Sequence, residues 1–338
     1  MKQVSVSQIG VGYWGPNLLR NLIHLPGFRV EVVVDPDPKR RKYVQEMYPG
    51  TEVAADPEAA LNNPRIDALV VATPAATHFP LVLSGLNAGK HVLVEKPMAT
   101  SVREVDAIEE AARRTERVAM VGHTFLYNPA VRRLKAMIDS GELGDIRYLY
   151  SQRLNLGLIR SDVDALWNLA PHDISILQYL LDDRVPVSVR RMGSSYIQSG
   201  IDDVVFLHLE YPGNVMGHVH VSWLDPHKVR RLTVVGSRKM AVYDDVSEYK
   251  LAIYDKGIDQ VAKPGNRMDY DVPMTPYLHR SGDVYLPHIE WQEPLRAELQ
   301  HFHDCIVEKQ EPLTGCSHAR EVVRILETGG TPGRRAHA

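Results

Sequence analysis

Gly10-Val11-Gly12-Tyr13-Trp14-Gly15 stands between an apolar run, Val4–Ile9, and a helical pattern over Asn17–Leu25. Three glycines at this spacing can do one kind of chemistry well. Gly10 permits a tight turn, Gly12 lets main chain approach a pyrophosphate, and Gly15 lets helix and strand pack closely. The helix N-terminus then faces the phosphates. Asp35 lies twenty residues beyond Gly15, at the end of a second apolar run, Val30–Val34. A carboxylate there would accept hydrogen bonds from the adenosine ribose hydroxyls and repel a 2′-phosphate. NAD is therefore the expected cofactor, in preference to NADP. Tyr13 and Trp14 ride on the same loop. The cluster Lys39-Arg40-Arg41 follows Asp35. It reads as a solvated first helical turn, with Arg40 left open as an adenosine-side contact.

In an open parallel sheet, ligands bind beyond the carboxyl ends of the strands. Three segments fall there. One carries Thr73, Pro74 and His78, another is Glu95-Lys96-Pro97, and the third runs from His123 to Tyr127-Asn128-Pro129. A lysine ending a buried strand is poorly solvated, and burial lowers an amine from about 10.4 towards working pH. Lys96 could then bond a substrate hydroxyl and assist its deprotonation as hydride leaves the carbon. Pairing with Glu95 at the surface is the competing reading.

The second half offers Trp167-Asn168-Leu169-Ala170-Pro171-His172-Asp173. Asn168 and His172 share a face if a helix starts early enough. His172 could be an acid/base, or it could merely cap a helix after Pro171. Arg153 would suit a phosphate or carboxylate, although a surface ion pair also accounts for it. Tyr127, Asn128, Arg153, Asn155, Trp167 and Asn168 are candidate substrate contacts. His218 and His220 alternate on one strand and share a face; with no third ligand evident they read as a wet sheet surface, not a metal site.

The elements that must position these groups divide into two textures. Strands over Val4–Ile9, Val30–Val34, Ala68–Ala72, His91–Val94 and Val118–Val121 are short and apolar. Helical stretches lie between them, over Asn17–Leu25, Lys39–Met47, Pro57–Leu61, Phe79–Ala88 and Val102–Arg114. That alternation predicts a doubly wound parallel sheet over residues 1–124. Residues 125–328 begin with a helix at Ala130–Asp139, a strand at Ile146–Leu154 and a helix at Ile174–Leu181. Strands then follow one another, over Val187–Ser195, Val204–Tyr211, Asn214–Trp223, Arg230–Val235, Met240–Asp244 and Lys250–Tyr254. A large, mostly antiparallel sheet with one open face is expected, closed by helices at Pro294–Glu308 and Ala319–Glu327. The Pro- and Gly-rich stretch 256–290 reads as a lid or an oligomer contact, and 329–338 as a disordered tail.

Bulk properties set the remaining bounds. A chain of 338 residues exceeds what one core usually serves, so two domains are expected. Net charge is −3 without a basic stripe, which argues against nucleic acid as a partner. No run is long and apolar enough to span a bilayer, and no signal peptide precedes the first strand. Cys305 and Cys316 form no disulfide framework, which fits the cytoplasm. A small molecule is the expected partner, together with further copies of the chain as a homodimer or homotetramer.

Taken together, GVGYWG at 10–15, ATPAATH at 72–78, EKP at 95–97, the segment around Tyr127-Asn128-Pro129 and the helix bearing His172 resemble the Gfo/Idh/MocA oxidoreductases. The stretches around 219–245 and 293–306 look like the branch acting on nucleotide-linked sugars at C3. The resemblance implies a Rossmann domain and an open-faced α/β domain. It implies that Lys96 contacts the hydroxyl being oxidised and that His172 serves as acid/base. Asn168 stands where the family commonly has aspartate, so it can orient substrate but not take a proton. Glycoside cleavage with transient use of NAD, internal redox cycling, and a non-catalytic dinucleotide sensor are the alternatives on the same fold.

Overall fold

A computed structural model describes residues 2–260 and 277–330. The N-terminal sheet holds six strands: β1 (Val4–Ile9), β2 (Phe28–Val34), β3 (Glu52–Ala54), β4 (Ala68–Val71), β5 (His91–Glu95) and β6 (Ala119–Gly122). Their order is β3-β2-β1-β4-β5-β6, all parallel. Strand order reverses beside β1, so the crevice for a dinucleotide opens beyond the carboxyl ends of β1 and β4. Every residue of β4 and β6 is buried, as expected for strands covered on both faces.

Helices α1 (Gly15–His24), α2 (Pro38–Met47), α3 (Glu58–Leu61), α4 (His78–Asn87) and α5 (Val102–Thr115) supply that cover. Ser101 caps α5 through its hydroxyl, which accepts from the Glu104 N–H. The Glu104 carboxylate reaches back to Thr100. β3 is an added edge strand that its exposed, three-residue pattern did not signal.

After α6 (Pro129–Asp139) comes β7 (Ile146–Leu156), then α7 (Ala165–Leu180). α7 begins nine residues before the expected Ile174. Asp164 caps it by accepting from the Trp167 N–H at 2.9 Å, and Pro171 sits inside the helix. Proline removes one helical hydrogen bond, but most of α7 is buried, so packing outweighs that loss.

The large sheet comprises β8 (Ser188–Ser194), β9 (Val204–Tyr211), β10 (Val215–Ser222), β11 (Leu224–Gly236), β12 (Met240–Asp244), β13 (Leu251–Tyr254) and, after β14 (Gly257–Gln260) and β15 (Tyr277–Arg280), β16 (Val284–Tyr285). Its order is β16-β13-β12-β11-β7-β10-β9-β8. It is antiparallel except where β10 lies parallel to β7, which splits the sheet around its central strand. Buried and open positions alternate along β9 and β10, with α7 against the buried face.

β14 and β15 pair with each other, which gives structure to the flanks of the expected 256–290 excursion. Residues 261–276 of that excursion lie outside the described residues. Two helices close the chain, α8 (Pro294–Val307) and α9 (Cys316–Thr328), and both return to the first domain. The His303 ring meets the Lys2 carbonyl at 2.8 Å, and Val121 N–H donates to Thr314. The expected tail begins too early, because Gly329 and Gly330 are held by Arg191 and Trp167. Residues 331–338 lie outside the described residues.

Candidate active site

The glycine loop is shaped by what a side chain would strike. Gly10 has φ +98, and a Cβ there would be driven into the Ala72 carbonyl. A Cβ at Gly15 would meet the Gly10 oxygen at 2.7 Å. Gln8 pins the loop by donating to the carbonyls of both Gly10 and Gly15. At Gly12, by contrast, the nearest group is an Arg40 nitrogen at 3.7 Å. The space above Gly12 is therefore open and faces the start of α1, the arrangement a pyrophosphate requires.

Gly12→Val is accordingly expected to leave the thermal midpoint near that of the parent. NAD affinity should fall by about tenfold or more, because the added methyls occupy phosphate space; each tenfold is about 1.4 kcal/mol. Calorimetric titration with NAD checks it.

Asp35 directly follows β2, and it is buried and committed to main chain. Its oxygens accept from the N–H groups of Val11 (2.8 Å) and Asp37 (2.9 Å), and Arg40 stands 3.5 Å away. Asp35 thus shapes the glycine loop besides offering any remaining lone pair to a ribose. Tyr13 is almost wholly exposed, while the Trp14 side chain hydrogen-bonds Glu95. The His78 ring bridges the carbonyls of Thr73 (2.8 Å) and Pro97 (2.7 Å), tying the Thr73-Pro74 turn to the EKP segment.

Lys96 follows β5, and the Lys96–Pro97 bond is cis. Its Nζ donates to the Asn168 carbonyl at 3.0 Å, crossing from one domain to α7 of the other. Burial lowers its pKa to about 8; Glu95 opposes the shift, and Arg153 and Arg160 add to it. Glu95 is itself pushed up to about 7 by burial, against the pull of Lys96. The Asn168 side chain is not what meets Lys96. Its main chain does, so an aspartate is not needed for that contact.

His172 lies one helical turn beyond Asn168, half-buried, its ring edge-on to Phe125 at 5.0 Å. Burial holds its imidazole well below the usual range, with Lys96, Arg153 and His123 adding to the effect. Arg153 is buried on the inner face of β7. Its Nε donates to Asp173 at 2.6 Å, and its guanidinium covers the Phe125 ring at 4.6 Å. Arg230 lies directly opposite Arg153 on β11. Lys96, Arg153 and Arg230 therefore lie around the neutral ring of His172, the two guanidiniums paired with Asp173 and Asp245, with Asn155 farther along β7.

Three of the expected substrate contacts are buried in the structure. Tyr127 is buried against His301 with Arg132 over its ring, so it belongs to the core. Asn128 is buried and caps α6 by accepting from Ala130, while donating to the Tyr243 hydroxyl at 3.0 Å. Trp167 is buried and spends its indole N–H on the Gly330 carbonyl. Each had the right composition for a pocket, but Asn128 and Trp167 spend their polar atoms on other protein groups, and the Tyr127 hydroxyl is enclosed in the core.

Sequence reasoning missed Asp173 as the partner of Arg153, and missed Phe125, His318 and Glu298. Glu298 is fully buried on α8, accepts from the Thr124 hydroxyl at 2.8 Å and is held well above the usual carboxyl range by burial and by Glu95. Only a charged residue amid the apolar stripe of α8 signalled it. His218 and His220 lie on the open sheet face beside Phe206, with His220 stacked at 4.1 Å. Among the described residues no group of three His, Cys, Asp or Glu side chains is placed to hold a metal. Among them, too, no helix is long and apolar enough to cross a membrane.

Comparison with known proteins agrees with this fold. The model of the oxidoreductase family with an NAD-binding Rossmann fold matches residues 4–123, and that of the GFO/IDH/MocA C-terminal domain matches 131–242. The chain is similar to scyllo-inositol 2-dehydrogenase (NAD(+)) of Bacillus subtilis (strain 168), with 25% identity over 324 residues, 92% of this chain and 88% of that protein. It is 28% identical over 293 residues to an inositol 2-dehydrogenase of Rhodococcus erythropolis, covering 84% of this chain and 81% of the relative. The fold is that of UDP-N-acetylglucosamine 3-dehydrogenase GnnA from Acidithiobacillus ferrooxidans, with TM-score 0.81, 22% identity and 97% of each chain covered. With its glycine loop, its EKP lysine and matches spanning both domains, the chain belongs to the Gfo/Idh/MocA family of NAD-dependent oxidoreductases.

Proposed function

We propose that the protein oxidises or reduces a ring carbinol of a sugar, with C3 of a nucleotide-linked hexose as the preferred position. The observation that carries this reading is the Lys96 Nζ to Asn168 contact, which brings the strand-end amine onto the helix of His172. When bound, the nicotinamide supplies the hydride acceptor or donor. The protein supplies the proton traffic. An amine titrating near 8 is matched to taking a hydroxyl proton at working pH and to returning it in reduction. His172 is held neutral by burial and its cationic neighbours, so it carries the proton onward only in passing. Phe125 and the Arg153–Asp173 pair fix the walls around them. Arg153 and Arg230 would favour a substrate carrying phosphate or carboxylate. The buried Asp35 favours NAD over NADP.

A panel of UDP- and TDP-hexoses, hexuronates and inositols, followed at 340 nm with NAD, tests this. NADH formed with a nucleotide hexose supports the full reading. NADH formed only with inositols keeps the carbinol chemistry and removes the nucleotide. No turnover by a protein that still binds NAD overturns the proposal.

The open face of the large sheet exposes Tyr148, Tyr150, Phe206 and Met216. An apolar face of this kind suits a second copy of the chain. Phe206→Glu is expected to shift the mass seen by sedimentation from an oligomer to a monomer.

A further inference from the structure

Oxidation at a carbinol releases one proton for each hydride moved, and that proton must leave a site filled by substrate and cofactor. Behind His172 lie two more histidines that the chemistry above does not use. His123 leads from β6 into the 3-10 turn Thr124–Tyr127, which carries Phe125 against His172. His318 is in the first turn of α9. Both are buried, and their rings meet edge-on with centroids 5.3 Å apart. Nδ1 of His172, Nδ1 of His123 and Nε2 of His318 are each enclosed with no hydrogen-bond partner among the described residues. A buried imidazole nitrogen without a partner is costly, and three on neighbouring rings call for a common cause.

The far end of the array is built differently. His318 Nδ1 meets Asp183 Oδ1 at 2.6 Å. That contact places the ring proton on Nδ1 and leaves Nε2 as a base facing the interior. A proton arriving at Nε2 gives an imidazolium stabilised by the Asp183 carboxylate. Asp183 is about a third exposed, so it reaches water. It is held there by two consecutive left-handed residues, Asp182 (φ 55) and Asp183 (φ 52), a backbone that non-glycine residues seldom adopt. Glu321, on α9, is a further acid facing this mouth. The array also has fixed spacing, since β6 is bonded to the lead-in of α9 through Val121 N–H and the Thr314 carbonyl.

We propose that His172, His123, His318 and Asp183 form a proton conduit that carries the carbinol proton from Lys96 to solvent through the seam between the domains. In oxidation the O–H bond breaks and its proton passes to the Lys96 amine, then along the three imidazoles to Asp183, while the C–H pair leaves as hydride. Reduction runs the same path inward. The inference rests on the carbinol chemistry proposed above.

Two measurements test it. With whichever sugar the panel identifies, His318→Gln and Asp183→Asn should lower steady-state turnover about tenfold, at the low end for loss of a proton-transfer group. NAD affinity and KM should stay at the parental values. His318→Ala should regain turnover as imidazole buffer is raised, a response the parent lacks. Parental turnover in both variants, or a loss that buffer leaves untouched, overturns the conduit. The second measurement needs no substrate. Nitrogen-15 spectra of the histidine rings should show His318 protonated at Nδ1 and bare at Nε2. A proton on Nε2 overturns the conduit even if the sugar reading stands. If no sugar is turned over, that reading falls and the ring spectra still decide the conduit.

Discussion

Lys96→Ala is expected to lower turnover by about 10²–10⁴-fold while leaving NAD affinity and the thermal midpoint close to the parent. The large effect follows from where the amine sits. It ends a buried strand, reaches into the second domain at 3.0 Å, and has its pKa lowered by burial to about 8. Alanine removes the proton acceptor. Stability should change little, because the ammonium contacts one main-chain carbonyl and is not part of the apolar core. Lys96→Arg should be no better, since a guanidinium stays charged at every working pH and cannot take a proton.

The same amine fixes a pH dependence. Oxidation requires the neutral form, so kcat/KM should rise as pH passes through about 8. Reduction requires the ammonium, so it should fall over the same interval. Rate profiles in both directions check this. A profile for oxidation that falls through pH 8 would mean that Lys96 acts as a fixed cation and that His172 alone takes the proton.

The first domain was legible because its signals are local. A strand buried on both faces is a short apolar run, and a glycine loop is a spacing. The N-cap of α5 is a signal of the same local kind, Ser101 standing three residues before Glu104. The second domain was less legible because its decisive signals are distant. Nothing near Pro171 says that a helix begins at Ala165; the signal is the Asp164 cap together with burial that only the sheet provides. Tyr127, Asn128 and Trp167 show the limit from the other side. Residue type marked them as pocket-forming, but the atoms that would touch a ligand are used by Tyr243, Ala130 and Gly330, or packed beneath Arg132. The partner of Arg153 was out of reach for a simpler reason. Asp173 is twenty residues away and reads equally well as a helix-start acid until α7 is laid on β7.

That pair carries the largest expected effect on stability. Asp173 and Arg153 are both buried, joined at 2.6 Å. Burial outweighs the attraction of Arg153 and Arg230 and pushes the Asp173 carboxyl up from its ordinary value. The pair is therefore held against a desolvation cost and is not a net source of stability. Breaking it is another matter. Asp173→Ala leaves a guanidinium buried over Phe125 without its acid, and is expected to cost about 3–5 kcal/mol in urea unfolding. Replacing both, Asp173→Leu with Arg153→Met, removes the uncompensated charge and should recover most of that loss. Activity should not follow stability. Arg153 is one of the cations that press the Lys96 amine downward, so its removal should raise the Lys96 pKa and move the oxidation profile to higher pH. A double variant that is as unstable as Asp173→Ala would show that shape at this site, not charge, governs the fold. A double variant with an unshifted profile would separate Arg153 from Lys96 altogether.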